Sequence, residues 1–333
     1  MKNILILGGT QFIGRYLVEK LIELDEYELT LFNRLRTKPE LFPNLTRIKG
    51  DRETNDINQL TTEYWDVIID LSCYYPESLA NILSALDGKF NQYILVSTCS
   101  VYDNENNREV LKTEKATVKS CTSEQRVDRT DHSYGNRKAE CERILLTSGV
   151  NSVIIRPSLV YGPYDHTDRF YYWLYQVKHS HKLLLPDNGQ RCFSLTYVGD
   201  LVETILQSLK QPPQQKIYNV TTIPQASIAQ IVECAQELLD KNQVFINASP
   251  SFLHQHKISQ WGDMPLWIDG DYFTYSNQEL IDDLKIELSS ISSSIVATIN
   301  YYKSIDWPSP AYGMTEKVRL GLIEKMLPNR END

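Results

Sequence analysis

Long hydrophobic runs are missing from this chain. No stretch approaches the length of a membrane-spanning helix, and the apolar start, MKNILILGGT, breaks at Gly8-Gly9 after a few residues. That is too short for the core of a signal peptide. Cysteines at metal or redox spacing are missing too: the six cysteines, at 73, 99, 121, 141, 192 and 234, contain no CxxC. In a large chain without a leader they read as reduced thiols, mostly packing residues. Positive charge is not in excess either. The 333 residues carry a net charge of −9, which disfavours nonspecific attraction to nucleic acid and to anionic membrane. Internal repeats and low-complexity tracts are absent. These gaps lead to the expectation of a cytoplasmic globular protein with no membrane partner.

What is present is an alternation of short apolar runs and amphipathic stretches. Runs at 3–7 (NILIL), 28–32, 45–49, 66–71, 92–97 and 152–156 read as strands. Helical patterns lie between several of them, notably at 76–86 and 133–148. Continuous apolar strands alternating with helices indicate an α/β chain with a Rossmann-type, doubly wound parallel sheet. After Arg156-Pro157 the texture changes, with aromatics crowding 170–175 and a loop at Pro212-Pro213 before the strand-like KIYNV at 216–220. The expected division is a dinucleotide-binding domain over 1–156 and a smaller α/β substrate lobe over 157–328. Elements from about 195–220 return to the sheet, and the tail 330–333 frays.

Gly8-Gly9-Thr10-Gln11-Phe12-Ile13-Gly14 follows a strand and opens a helix. Glycines let a backbone turn sharply and approach a pyrophosphate, and the helix start offers free N–H groups. The ribose of such a ligand sits at the end of the second strand, where a carboxylate selects NAD and an arginine suits the 2′-phosphate of NADP. Here the strand ends in Asn33-Arg34, with Arg36 and Lys38 nearby and no acidic residue. NADP is therefore favoured over NAD, a solvated basic loop being the competing explanation. Asp51 and Arg52 follow the third strand, where Asp51 suits the adenine amino group unless it only forms the turn.

Tyr134 and Lys138 are spaced to share one helix face. An ammonium beside a tyrosine stabilises tyrosinate, so the pair suits general acid–base chemistry. Tyr16 and Lys20 have the same spacing but belong to the helix after the glycine turn. Ser97-Thr98-Cys99-Ser100-Val101-Tyr102 sits at the C-terminal end of a strand, where ligands bind in open α/β sheets. A hydroxyl there can hold the oxygen of a reacting carbonyl or alcohol; at a strand end it can also simply satisfy backbone groups.

These residues resemble the extended short-chain dehydrogenase/reductase family, which includes nucleotide-sugar epimerases and dehydratases. The resemblance runs through GGTQFIG at 8–14, DLSC at 70–73, VSTCSVY at 96–102, YGNRK at 134–138, RPSLVYGP at 156–163 and YVGDLVETI at 197–205. It implies Tyr134 as acid/base, Lys138 as its tuner and ribose holder, and Thr98 as the hydroxyl on the reacting oxygen. Gly8 and Gly14 would be the outer glycines of the turn. Leu71 and Ser72 would contact the cofactor through backbone, Pro157 would pass the nicotinamide, and a homodimer is common in the family. Arg191 is placed to clamp a substrate phosphate or to face solvent, and Cys99 and Ser100 border the substrate.

Two departures stand out. Gln11 replaces the middle glycine, which narrows the approach to the pyrophosphate. Leu159 stands where epimerases often carry Asn. The GGTxFIG variant resembles the atypical subgroup that includes chloroplast stem-loop RNA-binding proteins. The reading is an NAD(P)-dependent oxidoreductase or epimerase-like enzyme acting on a carbonyl or alcohol carbon, with a nucleotide sugar as first substrate class. Dehydration ranks lowest, because Cys99 and Ser100 put no acid beside Thr98. The rival is a Rossmann binding protein, sensing a dinucleotide or binding RNA without catalysis. His179, His181, His254 and His256 read as surface or capping residues rather than metal ligands, and the aromatics at 170–175 as packing.

Overall fold

The computed structural model describes residues 1–212 and 214–326. Pro213, the expected lobe end at 328 and the tail 330–333 lie outside the described residues. The first half alternates β1 (Lys2–Leu7), α1 (Phe12–Leu24), β2 (Tyr27–Asn33), β3 (Thr46–Lys49), β4 (Trp65–Asp70), α2 (Pro76–Ala85), β5 (Phe90–Val96), α3 (Ser123–Val127), α4 (Tyr134–Thr147) and β6 (Ser152–Pro157). The second half runs β7 (Leu159–Tyr161), α5 (Tyr171–His179), β8 (Lys182–Pro186), β9 (Phe193–Tyr197), α6 (Val198–Lys210), β10 (Lys216–Val220), β11 (Ile223–Ala226), α7 (Ile228–Leu239), β12 (Val244–Ala248), α8 (Pro250–Gln255), α9 (Gln278–Leu284), α10 (Ile291–Ser304) and α11 (Glu316–Met326).

Seven strands form one sheet in the order β10-β6-β5-β4-β1-β2-β3, every neighbouring pair parallel. A strand buried on both faces needs apolar residues throughout, which is why β1 reads as an unbroken run. Ile4 and Ile6 pack on one face with Leu17, Val18 and Leu21 of α1. Leu5 and Leu7 pack on the other with Leu79 and Ile82 of α2. Each such side chain contributes about 1.5–3 kcal/mol relative to exposure. The chain leaves β1 towards β2 and β3, then crosses to β4 on the opposite side. That reversal opens a crevice above the carboxyl ends of β1, β2 and β4.

Beyond β6 lie two small sheets, β11-β9-β7 and β12-β8. β10 returns to the edge of the large sheet beside β6, and α6 packs its apolar face into the core that holds α1. The aromatic run is core: Phe170, Tyr171, Tyr172 and Trp173 are buried, and Tyr171 stacks on Tyr302 with centroids 3.5 Å apart. His179 packs on Tyr175, His254 on Trp267, and the His256 ring meets the Phe252 carbonyl.

Candidate active site

The turn after β1 is built by backbone. Gly8 and Gly9 adopt φ of +119° and +99°, a region that side chains disfavour. A Cβ on Gly14 would lie 2.8 Å from the Gly9 backbone, so glycine there lets α1 start directly against the turn. Gln11 needs no such freedom: it is extended, at φ −132°, and exposed. The middle position therefore accommodates a side chain without strain. No side chain caps α1 and no acidic residue occupies its first turn, so its N–H groups and positive end stay available to an anion.

Above the turn lies a cavity of about 410 Å³ at the switch point of the sheet. Gly8, Thr10, Gln11, Phe12, Ile13, Gly14, Asn33, Arg34, Asp51, Arg52, Leu71 and Ser72 all line it. With its positive-φ glycines, close helix start and uncapped N–H groups, it fits a dinucleotide. Sequence reasoning missed Tyr74, Thr37, Glu53 and His166, which also line it. Tyr74 directly follows the DLSC motif and was within reach. His166 is far from the turn in sequence, and no local pattern marks it.

Several expected roles need correction. Both polar atoms of Asn33 are used by the chain itself: Nδ2 donates to the Gly8 carbonyl (2.9 Å), and Oδ1 accepts from the Leu35 amide (2.9 Å). These bonds brace the turn, and Asn33 stays among the residues lining the cavity. Arg52 is not a free cation. Its Nη1 and Nη2 bind the Asp70 carboxylate at 2.5 and 2.8 Å, and its Nε donates to Ser78 Oγ at 2.7 Å. Asp70 is fully buried and also accepts from Tyr93 Oη (2.5 Å) and the Ser72 amide (3.0 Å). Burial pushes the Asp70 carboxyl up, but Arg52, with the Tyr93 hydroxyl and the Ser72 amide, holds the group below its ordinary value. Asp51 accepts from the Glu53 amide (3.1 Å) as a turn former and lies 3.8 Å from exposed Arg34. The Leu71 amide donates to Leu7 O, so with the Ser72 amide on Asp70 neither offers an N–H to a ligand. Pro157 is not among the residues lining the cavity; it is buried in β6, opposite Val220.

The second constellation gathers at the end of β5. Thr98 lies two residues beyond the end of β5, and its Oγ1 accepts from the Ser100 amide at 3.1 Å and donates to Ser100 Oγ at 3.2 Å. Cys99 is completely buried with Sγ against the Arg156 carbonyl (3.2 Å), so it is a packing residue and cannot border a substrate. A Cβ on Gly135 would fall 2.2 Å from the Ser100 carbonyl oxygen. Glycine there seats the first turn of α4 directly on the Thr98–Ser100 segment, which brings Tyr134 to this corner. Tyr134 is half-buried. One turn on, Lys138 is buried, and its Nζ donates to the carbonyls of Cys73 and Val96, both at 2.8 Å. Burial opposes its charge, yet the pull of Tyr134 and Cys73 raises its pKa above the ordinary value. The Tyr74 ring lies 6.3 Å from that of Tyr134. Tyr74 thus joins this corner to the cavity above the glycine turn.

Arg191 stands apart from both. It is half-buried and paired with Asp187 (2.8 Å) and Asp271 (3.7 Å), so its charge is already neutralised and a clamp on phosphate is not its arrangement here. Arg156 is a structural cation: its Nη2 meets Glu142 at 2.6 Å and its Nη1 meets Tyr102 Oη at 2.8 Å.

Known proteins share this architecture. The chain is 29% identical over 236 residues to the chloroplast stem-loop binding protein of 41 kDa b from Arabidopsis thaliana, covering 66% of this chain and 58% of that protein's length. It is 24% identical over 271 residues to human dTDP-D-glucose 4,6-dehydratase, covering 72% and 73% of the two chains. The UDP-glucose 4-epimerase of Thermotoga maritima superposes with a TM-score of 0.70 at 17% identity, over 91% of this chain and 99% of that one. The UDP-glucuronic acid 4-epimerase of Bacillus cereus, solved with NAD, gives 0.68 at 18% identity, over 92% and 100%. The NAD dependent epimerase/dehydratase family matches residues 4–221, well over half of the sequence, and the chain belongs to that family.

Proposed function

We propose that this protein is an enzyme that oxidises or reduces a carbonyl or alcohol carbon of a nucleotide sugar with a nicotinamide dinucleotide. The observation that carries the reading is the ammonium of Lys138. It is buried, one helical turn from Tyr134, and spends two of its three N–H donors on backbone carbonyls. One donor is left for the phenol or for a ribose hydroxyl. A buried charge is costly and persists only where the fold compensates it. When bound, the nicotinamide ring supplies the acceptor and donor of hydride. Thr98 Oγ1 would hold the substrate oxygen, Tyr134 Oη would take or return its proton, and Lys138 would stabilise the tyrosinate. The nucleotide-sugar substrates named for the similar proteins support that substrate class. Epimerisation and reduction share the first step; dehydration ranks below them because Cys99 is buried and Ser100 is no acid.

NADP is favoured over NAD in this proposal. Arg34 and Arg36 line the cavity beyond β2, and no carboxylate stands at the strand end. The Bacillus cereus relative holds NAD, and Asp51 beside Arg34 tempers the positive charge. Titration with NADPH and NADH, read by nucleotide fluorescence, tests the reading. Tighter binding of NADPH supports Arg34 as the phosphate partner, and tighter NADH overturns that preference alone. Binding of neither overturns the enzyme. RNA binding is the second reading, favoured by the name of the chloroplast relative and opposed by the net charge of −9. A salt-sensitive gel shift at physiological ionic strength would bring it forward.

A further inference from the structure

A pyrophosphate brings two negative charges to the glycine turn, and the turn itself supplies N–H dipoles and the neutral side chains of Thr10 and Gln11, but no cation. Among the residues lining the cavity, four carry basic side chains: Arg34, Arg36, Arg52 and His166. Arg52 is saturated by Asp70 and Ser78. Arg34 and Arg36 follow the end of β2, on the ribose side. That leaves His166 as the basic group beside the phosphate turn. Its ring meets Phe12 of that turn edge-on, with centroids 6.2 Å apart and planes at 78°.

His166 arrives from the 162–170 segment between β7 and α5, and the segment is pinned on both sides of it. On one side, the Arg15 guanidinium of α1 sits 3.8 Å over the Tyr164 ring. On the other, the buried Asp165 carboxylate accepts from the Thr167 amide (2.9 Å) and hydroxyl (2.8 Å), and Tyr302 Oη donates to the Asp165 carbonyl (3.0 Å). The next carboxylate, Asp168, accepts from the Ala311 amide at 2.9 Å. The nearby acids are therefore engaged, while the His166 side chain is exposed and takes part in no hydrogen bond or ion pair among the described residues. A histidine held over an anion-sized turn, with its own nitrogens uncommitted, is placed to bind phosphate.

We propose that His166 is a cofactor-binding residue: its imidazole donates an N–H to the pyrophosphate of a dinucleotide seated on the glycine turn. The 162–170 segment thereby closes the phosphate site from the C-terminal side of the chain. It supplies the basic side chain that the turn lacks. The inference rests on the dinucleotide reading above.

The test measures ADP-ribose and adenosine binding by calorimetry in the unaltered protein and in His166→Phe and His166→Gln. Phenylalanine keeps the edge contact with Phe12 but has no N–H; glutamine restores a donor. His166→Phe is expected to weaken ADP-ribose roughly tenfold, the scale of a charge-assisted hydrogen bond. Adenosine, which has no phosphate, should bind unchanged, and His166→Gln should recover part of the loss. ADP-ribose binding by His166→Phe equal to that of the unaltered protein would show the ring to be packing only and overturn the inference. Equal weakening of both ligands would overturn it too, as a fold effect. Failure of the unaltered protein to bind ADP-ribose would remove the dinucleotide reading and this inference with it.

Discussion

At the end of β1 the chain turns on Gly8 and Gly9 and offers a ligand its backbone; at the end of β5 it offers hydroxyls, a phenol and an ammonium. The first site is defined by where side chains are absent, the second by which side chains are present. A backbone site tolerates a change wherever its geometry leaves room, as at Gln11, and fails where a Cβ has no space, as at Gly14. A side-chain site behaves in reverse: its fold survives many changes that its chemistry does not. The two are linked by residues that neither motif contains, chiefly Tyr74, which lines the cavity and packs near Tyr134.

Four substitutions break or sharpen this contrast. The largest expected effect is at the side-chain site. Tyr134→Phe should lower turnover by about 10²–10⁴-fold, the scale of a lost general acid–base group, while dinucleotide affinity stays unchanged. Steady-state turnover beside fluorescence titration checks both, and unchanged turnover removes Tyr134 from the chemistry.

Next comes the ion pair beneath the cavity. Asp70→Asn leaves Arg52 buried without its counter-charge and should cost about 3–5 kcal/mol in chemical denaturation. The sign with pH follows from the depressed Asp70 pKa. Its contribution is fully present above the unfolded carboxylate value of about 4 and is lost as pH falls through the lower folded value. The stability gap between the unaltered protein and Asp70→Asn should therefore narrow in acid. A gap that widened would mean that the pair does not hold this carboxyl ionised.

A smaller effect tests the backbone site. Gly14→Ala forces a Cβ against Gly9 and should destabilise by about 1–3 kcal/mol, as overpacking does, with loss of NADPH and NADH binding. Smallest of all is Gln11→Ala, expected within about 0.5 kcal/mol in stability, with nearly unaltered dinucleotide affinity. A large loss of affinity there would show that the glutamine side chain takes part in binding. Thermal melts and titrations on both variants read the contrast directly.

Much of this was legible in the sequence because it is local. The central strands of the first half were readable from runs of apolar residues, since both faces of a central parallel strand are buried, whereas the edge strand β3 (TRIK) is polar and largely uncovered. The glycine turn was readable because strand, turn and helix are contiguous, and Tyr134 with Lys138 because one helical turn separates them. What the tertiary structure alone decided is which polar groups are already satisfied. Arg52 looked available until Asp70 met it, Arg191 until Asp187 and Asp271 did, and Cys99 until it was buried under Arg156. Lys138 gained its two carbonyl partners from the loop after β4 and from β5, and His166 reached the turn from a segment beyond β7. Hydrogen bonding and charge pairing act through space. A sequence names the groups that can make such bonds, and only the packed chain determines which of them remain free for a ligand.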